Sequence, residues 1–220
     1  MKEPILVAQE IFKSFHHPQK VTVLSGISLS VERGQSIAIM GRSGEGKTTL
    51  LHILGTLEEA DSGTLAIAGK ISTPLQAPSL RNKHIGFIFQ AFNLLEDFTA
   101  LENVLMPARI ARKSIDLEYG RYLLDQVGLA DRSRFPAKLL SGGERQRIAI
   151  ARALCNDPDL ILADEPSGNL DQANAEAIGS LLFSLVQQKN KSLILVTHDF
   201  NLASHCQKRY VLNGGHLTPC

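Results

Sequence analysis

The hydrophobic and polar positions along the chain follow two periods, and together they predict an α/β protein. Aliphatic runs and stretches with a period of two predict strands. The predicted strands are residues 5–15, 21–31, 36–40, 64–68, 85–90, 160–163, 192–196 and 210–212. Apolar positions at helical spacing predict helices at residues 49–54, 99–109, 115–127, 144–155, 172–189 and 201–206. Strands and helices in alternation predict a mostly parallel sheet.

The order of these elements predicts how the chain is divided. The first two strands flank the loop His16-His17-Pro18-Gln19 and predict an N-terminal antiparallel β segment, while Gly214-Gly215 follows the last predicted strand. Helical spacing between 99 and 127 is interrupted by Pro107, and we expect a small helical subdomain at residues 91–140. Residues 1–90 and 141–220 then form the core of a single domain, 1–220.

Composition narrows the range of functions. A length of 220 residues with 44% hydrophobic content suits one domain with a real core. A net charge of +1 provides no basic field, so we expect no nucleic-acid partner. Cys155, Cys206 and Cys220 match neither a disulfide framework nor a metal-site spacing. The N-terminus has no apolar signal region and no run is long enough to cross a bilayer, so any membrane part is expected from another chain.

A glycine-rich loop between a strand and a helix is the central motif. It consists of Gly41, Arg42, Ser43, Gly44, Glu45, Gly46, Lys47, Thr48 and Thr49, and it fits G-x-x-x-x-G-K-[ST]. Glycines let backbone N–H groups point at an anion, and the helix adds the positive end of its dipole. Lys47 is expected to bridge the β- and γ-phosphates, and the Thr48 hydroxyl to ligate Mg²⁺. The alternative, a chance glycine turn, is disfavoured by the flanking strand and helix, so the sequence predicts a nucleoside triphosphate site.

Two carboxylates, Asp164 and Glu165, end the apolar strand 160–163. At the carboxyl end of a parallel strand, a side chain faces the crevice in which ligands bind. We expect Asp164 to hold Mg²⁺ through water and Glu165 to accept a proton from an attacking water. An acidic pair that merely begins a loop is the structural alternative, which the phosphate loop makes less favourable.

A second glycine-containing helix start lies at Leu140-Ser141-Gly142-Gly143. Ser141 is a natural N-cap, and Gly142 and Gly143 leave the first amides of the helix accessible to an anion. The terminus is either a purely structural cap or a surface that closes on the nucleotide of a second copy.

Taken together, these motifs resemble the ATP-binding-cassette (ABC) ATPases. The shared pattern also includes Gln90, the segment Ser167-Gly168-Asn169-Leu170-Asp171 and Thr197-His198-Asp199 after a strand, in the family's order. The resemblance covers the chain from about Phe15 to His198. It implies the P-loop ABC ATPase fold, with ATP and Mg²⁺ as ligands.

The resemblance also implies a role for each matched residue. Phe15 stands where the family places an aromatic ring against adenine. Ser43, Lys47, Thr48 and Thr49 would contact phosphates, with Thr48 and Gln90 ligating Mg²⁺. Glu165 resembles the catalytic base and His198 the residue that senses the γ-phosphate. Ser141 and Gly143 would clasp ATP held by the opposite copy, with Asp171 lining that dimer seam.

Within the family, the branch most similar to this chain powers lipoprotein release. Phe98-Thr99-Ala100-Leu101-Glu102-Asn103-Val104 and the segment 162–171 resemble that branch, while macrolide-export and cell-division ATPases share much of the pattern. The resemblance implies a homodimer at the cytoplasmic face of the bacterial inner membrane. Its partners would be integral membrane permease subunits docking near residues 90–105. The Phe and Leu side chains of this segment, Phe92, Leu94, Leu95 and Phe98, either form that docking surface or belong to the hydrophobic core. A soluble, non-transport ABC ATPase is the rival class, and the short spacing between the nucleotide motifs disfavours it.

Two residues depart from the family pattern. Glu45 replaces the small residue usual within the phosphate loop, and Glu96 stands where the branch often has proline. If Glu45 points to solvent, its effect is slight; if it points inward, we expect weaker nucleotide binding. Glu96 leaves the rigidity of the docking loop open.

Overall fold

A computed structural model describes residues 3–16 and 19–220, so His17 and Pro18 of the predicted first loop lie outside the described residues. The strands are β1 (Pro4–His16), β2 (Lys20–Glu32), β3 (Ser36–Met40), β4 (Ser62–Ile67), β5 (Lys70–Ile71), β6 (Ile85–Ile88), β7 (Leu160–Asp164), β8 (Ser192–Val196), β9 (Lys208–Asn213) and β10 (His216–Pro219). The α-helices are α1 (Lys47–Leu54), α2 (Ala77–His84), α3 (Ala100–Ile110), α4 (Leu117–Gln126), α5 (Gly142–Leu154), α6 (Gln172–Gln188) and α7 (Phe200–Ser204).

These strands form two sheets. One is antiparallel with the order β2-β1-β4-β5, and it contains the predicted N-terminal β segment. The other has the order β10-β9-β3-β8-β7-β6 and is parallel except for β10 at its edge. Every residue of β7 and β8 is buried, which is expected of strands covered on both faces. The predicted α/β fold with a mostly parallel core is confirmed.

The parallel sheet separates two hydrophobic clusters. Ile37 and Ile39 of β3 pack with α1 and the antiparallel sheet, whereas Ala38 packs on the side of α3 to α6. β7 and β8 divide their side chains in the same way, because successive residues of a strand point to opposite faces. This packing holds the ends of β3, β7 and β8 at one edge, where the candidate site lies.

Three short elements were not predicted from the sequence. Helix α2 is mostly polar and buries Leu80 and His84, so its apolar signal is weak. Strand β5 has two exposed residues. Strand β10 follows the Gly214-Gly215 turn and pairs with β9, so β9 is not the last strand as predicted. Both strands depend on pairing with a neighbour rather than on a hydrophobic pattern of their own.

The predicted interruption at Pro107 is wrong, because α3 runs through this residue to Ile110. A proline inside a helix removes one backbone hydrogen bond and costs about 3 kcal/mol. Val104, Leu105 and Ala108 are buried in the cluster that α3 shares with α4 and α5, and this packing stabilises the continuous helix.

The division of the chain at residues 91 and 140 stays a prediction. Among the described helices, none has both the length and the apolar character needed to cross a membrane.

Candidate active site

The glycine-rich loop joins β3 to α1 and exposes the amides at the helix start. Gly46 occupies the N-cap position in a left-handed conformation, with φ 92°, and it supplies no side-chain cap. A Cβ on Gly46 would lie 2.3 Å from Cγ1 of Val23 on β2, so no larger residue fits. Glycine at this position therefore leaves the first N–H groups of α1 available to an anion.

Lys47 is buried, and its ammonium group is bound to the first residues of the glycine-rich loop. Its Nζ donates to the carbonyl oxygens of Gly41 and Arg42, at 2.9 Å each. A lysine ammonium has three donors, so both bonds leave capacity for a phosphate oxygen.

A cavity of about 660 Å³ brings the separate motifs together. Its lining is Val23, Gly41, Arg42, Ser43, Gly44, Gly46, Lys47, Thr48, Thr49, Gln90, Asp164, Glu165 and His198. Parallel strands β3, β6, β7 and β8 lead into the residues of this lining, because their carboxyl ends share one edge. The cavity therefore combines a phosphate cradle with carboxylates, an amide and an imidazole.

Glu165 and His198 form a hydrogen-bonded pair in this cavity. His198 Nδ1 lies 2.9 Å from Glu165 Oε1, and the Thr197 hydroxyl donates to Glu165 Oε2 at 3.3 Å. Glu165 has φ 43°, a conformation that non-glycine residues adopt rarely and that concentrates at functional sites. The carboxylate is thus oriented by its neighbours and partly shielded from water.

Asp164, the last residue of β7, is buried under the phosphate loop. Burial raises the pKa of this carboxyl, and a hydrogen bond from Thr48 partly opposes the shift. Its Oδ1 is buried and has no hydrogen-bond partner among residues 3–16 and 19–220. A buried acceptor without a partner is costly, and a cation or its bound water would satisfy it.

Gln90 follows β6 and lines the same cavity. Asn169 Nδ2 donates to the Gln90 carbonyl oxygen at 2.8 Å, and a Cβ on Gly168 would lie 3.2 Å from Gln90 Nε2. The segment 167–171 therefore packs directly on Gln90. Spacing alone would not find this contact, since 79 positions separate the two residues.

Two residues expected at the nucleotide lie outside the cavity lining. Phe15 is 43% exposed near the end of β1, with Lys13 Nζ 5.2 Å from its ring centroid. Glu45 turns away from the cavity, and its Oε2 accepts a hydrogen bond from the Gly214 N–H at 2.9 Å. Of the alternatives for Glu45, an inward-pointing carboxylate is therefore wrong.

Ser141, Gly142, Gly143 and Asp171 form a separate region that does not line the cavity of the same chain. Ser141 caps α5 in a capping box with Glu144: the Glu144 N–H donates to the Ser141 hydroxyl, which donates to the Glu144 carboxylate at 2.7 Å. The Ser141 N–H also donates to this carboxylate at 2.9 Å, and this backbone bond, together with the bond from the hydroxyl, lowers the pKa of Glu144. Asp171 caps α6 through the Asn174 N–H. The N-cap predicted at Ser141 is confirmed.

Two residues hold the loop after Gln90, and this role was not predicted from the sequence for either of them. Asn103 is 1% exposed; its Oδ1 accepts from Leu95 N–H, and its Nδ2 donates to the carbonyl oxygens of Leu95, Phe98 and Thr99. Arg152 of α5 donates to the carbonyl oxygens of Phe92 and Asn93. Burial lowers the pKa of Arg152 to about 10.

These bonds fix the loop and leave apolar side chains at its surface. Leu95 is 44% and Phe98 36% exposed, while Phe92 and Leu94 are half-buried. Glu96 lies 3.8 Å from Arg145 at the surface of this loop, and the loop backbone is held at Leu95 by Asn103.

Comparison with known proteins agrees with this geometry. Residues 24–168 match the family model described as ABC transporter. The chain is 54% identical to the lipoprotein-releasing system ATP-binding protein LolD of Protochlamydia amoebophila, covering 97% of this chain and 96% of the relative. It is 48% identical to LolD of Treponema denticola, covering 99% of each. The dimeric post-hydrolysis state of the ATP-binding cassette MJ0796, bound to ADP and Pi, superposes with a TM-score of 0.88 at 32% identity, covering 96% of each chain.

Proposed function

This chain belongs to the ABC transporter family of ATP-binding proteins, and we propose that it is the ATP-hydrolysing subunit of a lipoprotein-releasing system. The assignment of ATP hydrolysis depends on one observation: a single cavity is lined by the phosphate loop, Gln90, Asp164, Glu165 and His198. The names of the full-length relatives support the transport process. The subunit would work at the cytoplasmic face of the bacterial inner membrane.

Within the cavity, the proposed roles follow from position. Amides of the phosphate loop and Lys47 bind the phosphates, and Glu165 accepts the proton of the attacking water. His198 orients Glu165 through the 2.9 Å contact and faces the γ-phosphate position. Preorganised groups of this kind lower the barrier because they need no reorganisation during the reaction.

The residues around the phosphates fit Mg²⁺. Thr48, Gln90 and Asp164 offer oxygen ligands, and the unpartnered Oδ1 of Asp164 is the observation that supports them. When bound, Mg²⁺ would neutralise charge on the β- and γ-phosphates. No cluster of three His, Cys, Asp or Glu residues that could hold a metal ion occurs in residues 3–16 and 19–220. A magnesium ion held largely by phosphates and water needs no such cluster.

The second copy is proposed to complete each site. Ser141 and Asp171 are exposed N-caps of α5 and α6, and neither lines the cavity of its own chain. A Cβ on Gly143 would lie 3.1 Å from Asn174 Oδ1, so the two helix starts are adjacent. A helix start with accessible amides binds phosphate, so a head-to-tail pair would place these helix starts on the partner's ATP. The dimeric cassette with ADP and Pi supports pairing of this kind.

The partner surface is proposed to be the loop of residues 90–105. Its exposed Leu95 and Phe98 are held in place by Asn103, which suits a surface that receives a cytoplasmic segment of a permease. Phe15, an exposed residue near the end of β1, would contact adenine.

Purification from membranes tests the transport assignment. The tagged protein, extracted in mild detergent from bacterial cells, should bring down an integral membrane permease identifiable by mass spectrometry. Leu95→Asp should weaken this recovery, whereas Leu75→Asp, at a residue 95% exposed elsewhere, should not. Recovery of ribosomes or DNA instead of a membrane protein, lost with salt, would contradict the proposal.

A further inference from the structure

Glu45 places a carboxylate within the phosphate loop, yet this side chain is bound to a distant part of the fold. Its Oε2 accepts the backbone N–H of Gly214 at 2.9 Å. Gly214 and Gly215 form the turn between β9 and β10, with φ values of 54° and 80°. Glycine suits such a two-residue hairpin turn, which requires positive φ at both positions.

The same hairpin contacts the loop and its neighbours at further points. A Cβ on Gly41 would lie 2.5 Å from the carbonyl oxygen of Leu212, so the start of the phosphate loop packs directly on β9. The Ser25 N–H donates to the Gly215 carbonyl oxygen at 2.8 Å, joining the turn to β2. The turn therefore bridges the antiparallel sheet and the phosphate loop.

We propose that Glu45 is a positioning residue that ties the phosphate loop to the β9–β10 turn, and that this tie determines nucleotide affinity more strongly than the negative charge of Glu45 does. The nucleotide part of this inference rests on the proposed function. A carboxylate that accepts a backbone N–H makes a charge-assisted hydrogen bond, which is stronger than a neutral one. The bond also directs the charge away from the cavity, because Glu45 does not contribute to its lining.

The two possible effects of Glu45, its negative charge and its hydrogen bond to Gly214, predict different nucleotide affinities for two variants. Glu45→Gln removes the charge and keeps an oxygen that can accept the Gly214 N–H, whereas Glu45→Ala removes both. If the tie dominates, Glu45→Gln, which keeps a weaker neutral hydrogen bond, binds ATP and ADP nearly as well as the original protein, and Glu45→Ala binds both about tenfold more weakly. If the charge dominates, both variants bind these anions more tightly.

The experiment combines nucleotide titration with hydrogen exchange at the Gly214 amide, followed by NMR. We expect slow exchange in the original protein and in Glu45→Gln, and faster exchange in Glu45→Ala. In steady-state hydrolysis, KM should rise for Glu45→Ala while kcat changes little, as expected when loop positioning affects binding of the ground state and transition state alike. Glu118→Ala, which removes an exposed carboxylate on α4, is the matched control and should change neither measurement.

Two results would overturn the inference: tighter nucleotide binding by both Glu45 variants, or unchanged Gly214 exchange in Glu45→Ala. Failure of the original protein to bind ATP would instead contradict the proposed function. In that case the exchange measurement still tests the tie, because it needs no nucleotide.

Discussion

The phosphate cavity and the start of α5 are both suited to phosphate, but they differ in how their polar groups are satisfied within one chain. In the cavity, Asp164 Oδ1 is buried without a partner in the described part of the chain, and Glu165 adopts φ 43°. At α5, Ser141 and Glu144 satisfy each other in a capping box. The cavity is therefore organised for a ligand at a cost in stability, whereas the helix start is stable by itself.

This difference has a mechanistic consequence. Strained and unpartnered groups concentrate where a protein does chemistry, because stability is traded for function there. We expect substitutions in the cavity to change turnover and to stabilise the free chain in some cases. Substitutions at α5 should instead affect the pairing of two copies, and those that remove the cap should also destabilise the helix.

Glu165→Gln should produce the largest effect. The amide keeps the size of the side chain but cannot accept a proton from water, so turnover should fall about 10²- to 10⁴-fold. ATP binding and ATP-dependent pairing should persist, measured by titration and by light scattering. Glu176→Gln, at an exposed position on α6, is the control. Normal steady-state hydrolysis by Glu165→Gln would rule out this residue as the base.

Ser141→Asp tests whether the start of α5 does more than cap a helix. Aspartate can accept the Glu144 N–H as serine does, so the N-cap bond should remain, although the bond donated to the Glu144 carboxylate is lost. The added charge would repel a phosphate. We expect the variant to bind ATP normally, to lose ATP-dependent pairing and to hydrolyse about 10²-fold more slowly. Ser141→Ala, which lacks a cap, should lower stability by about 1 kcal/mol. If the Ser141→Asp protein pairs and hydrolyses ATP normally, the start of α5 serves only as a helix cap.

Arg152→Ala removes the hydrogen bonds between α5 and the loop after Gln90, and Arg152 does not line the cavity. It leaves the carbonyl oxygens of Phe92 and Asn93 without their guanidinium donor, and we expect a loss of about 2 kcal/mol in thermal unfolding. ATP affinity of the lone chain should be unchanged, while stimulation of hydrolysis by the membrane partner should fall. Arg121→Ala, at an exposed position on α4, is the comparison, and equal effects from both variants would argue against a specific role for Arg152.

Asp164→Asn should give the smallest effect, and it should raise stability rather than lower it. Burial raises the pKa of Asp164 in the folded chain, so its ionised form opposes folding and stability falls as pH rises above the ordinary value of 3.8. Asparagine does not titrate, so the variant should be more stable by about 1 kcal/mol near neutral pH without Mg²⁺. Thermal unfolding should show this gain shrinking as pH falls toward 3.8. A gain that is independent of pH would contradict burial of the charge as its cause.

The sequence by itself determined the features that depend on neighbouring residues. The aliphatic runs of β3, β7 and β8 identify buried strands, and Ser141 and Asp171 cap helices through residues three positions away. The motif at 41–49 likewise identifies a phosphate loop, because its glycines and helix start act locally. Resemblance in these motifs was sufficient to identify the family.

Only the tertiary structure decided the features that depend on residues far apart along the chain. The direction of Glu45 depends on the Gly214 amide, and the course of α3 through Pro107 depends on packing against α4 and α5. The conformation of the loop after Gln90 depends on Arg152. Such contacts form only when the chain folds, and the spacing of hydrophobic residues along the sequence does not predict them. Local hydrogen bonds and hydrophobic patterns specify elements, whereas long-range packing specifies which side chains those elements bring together.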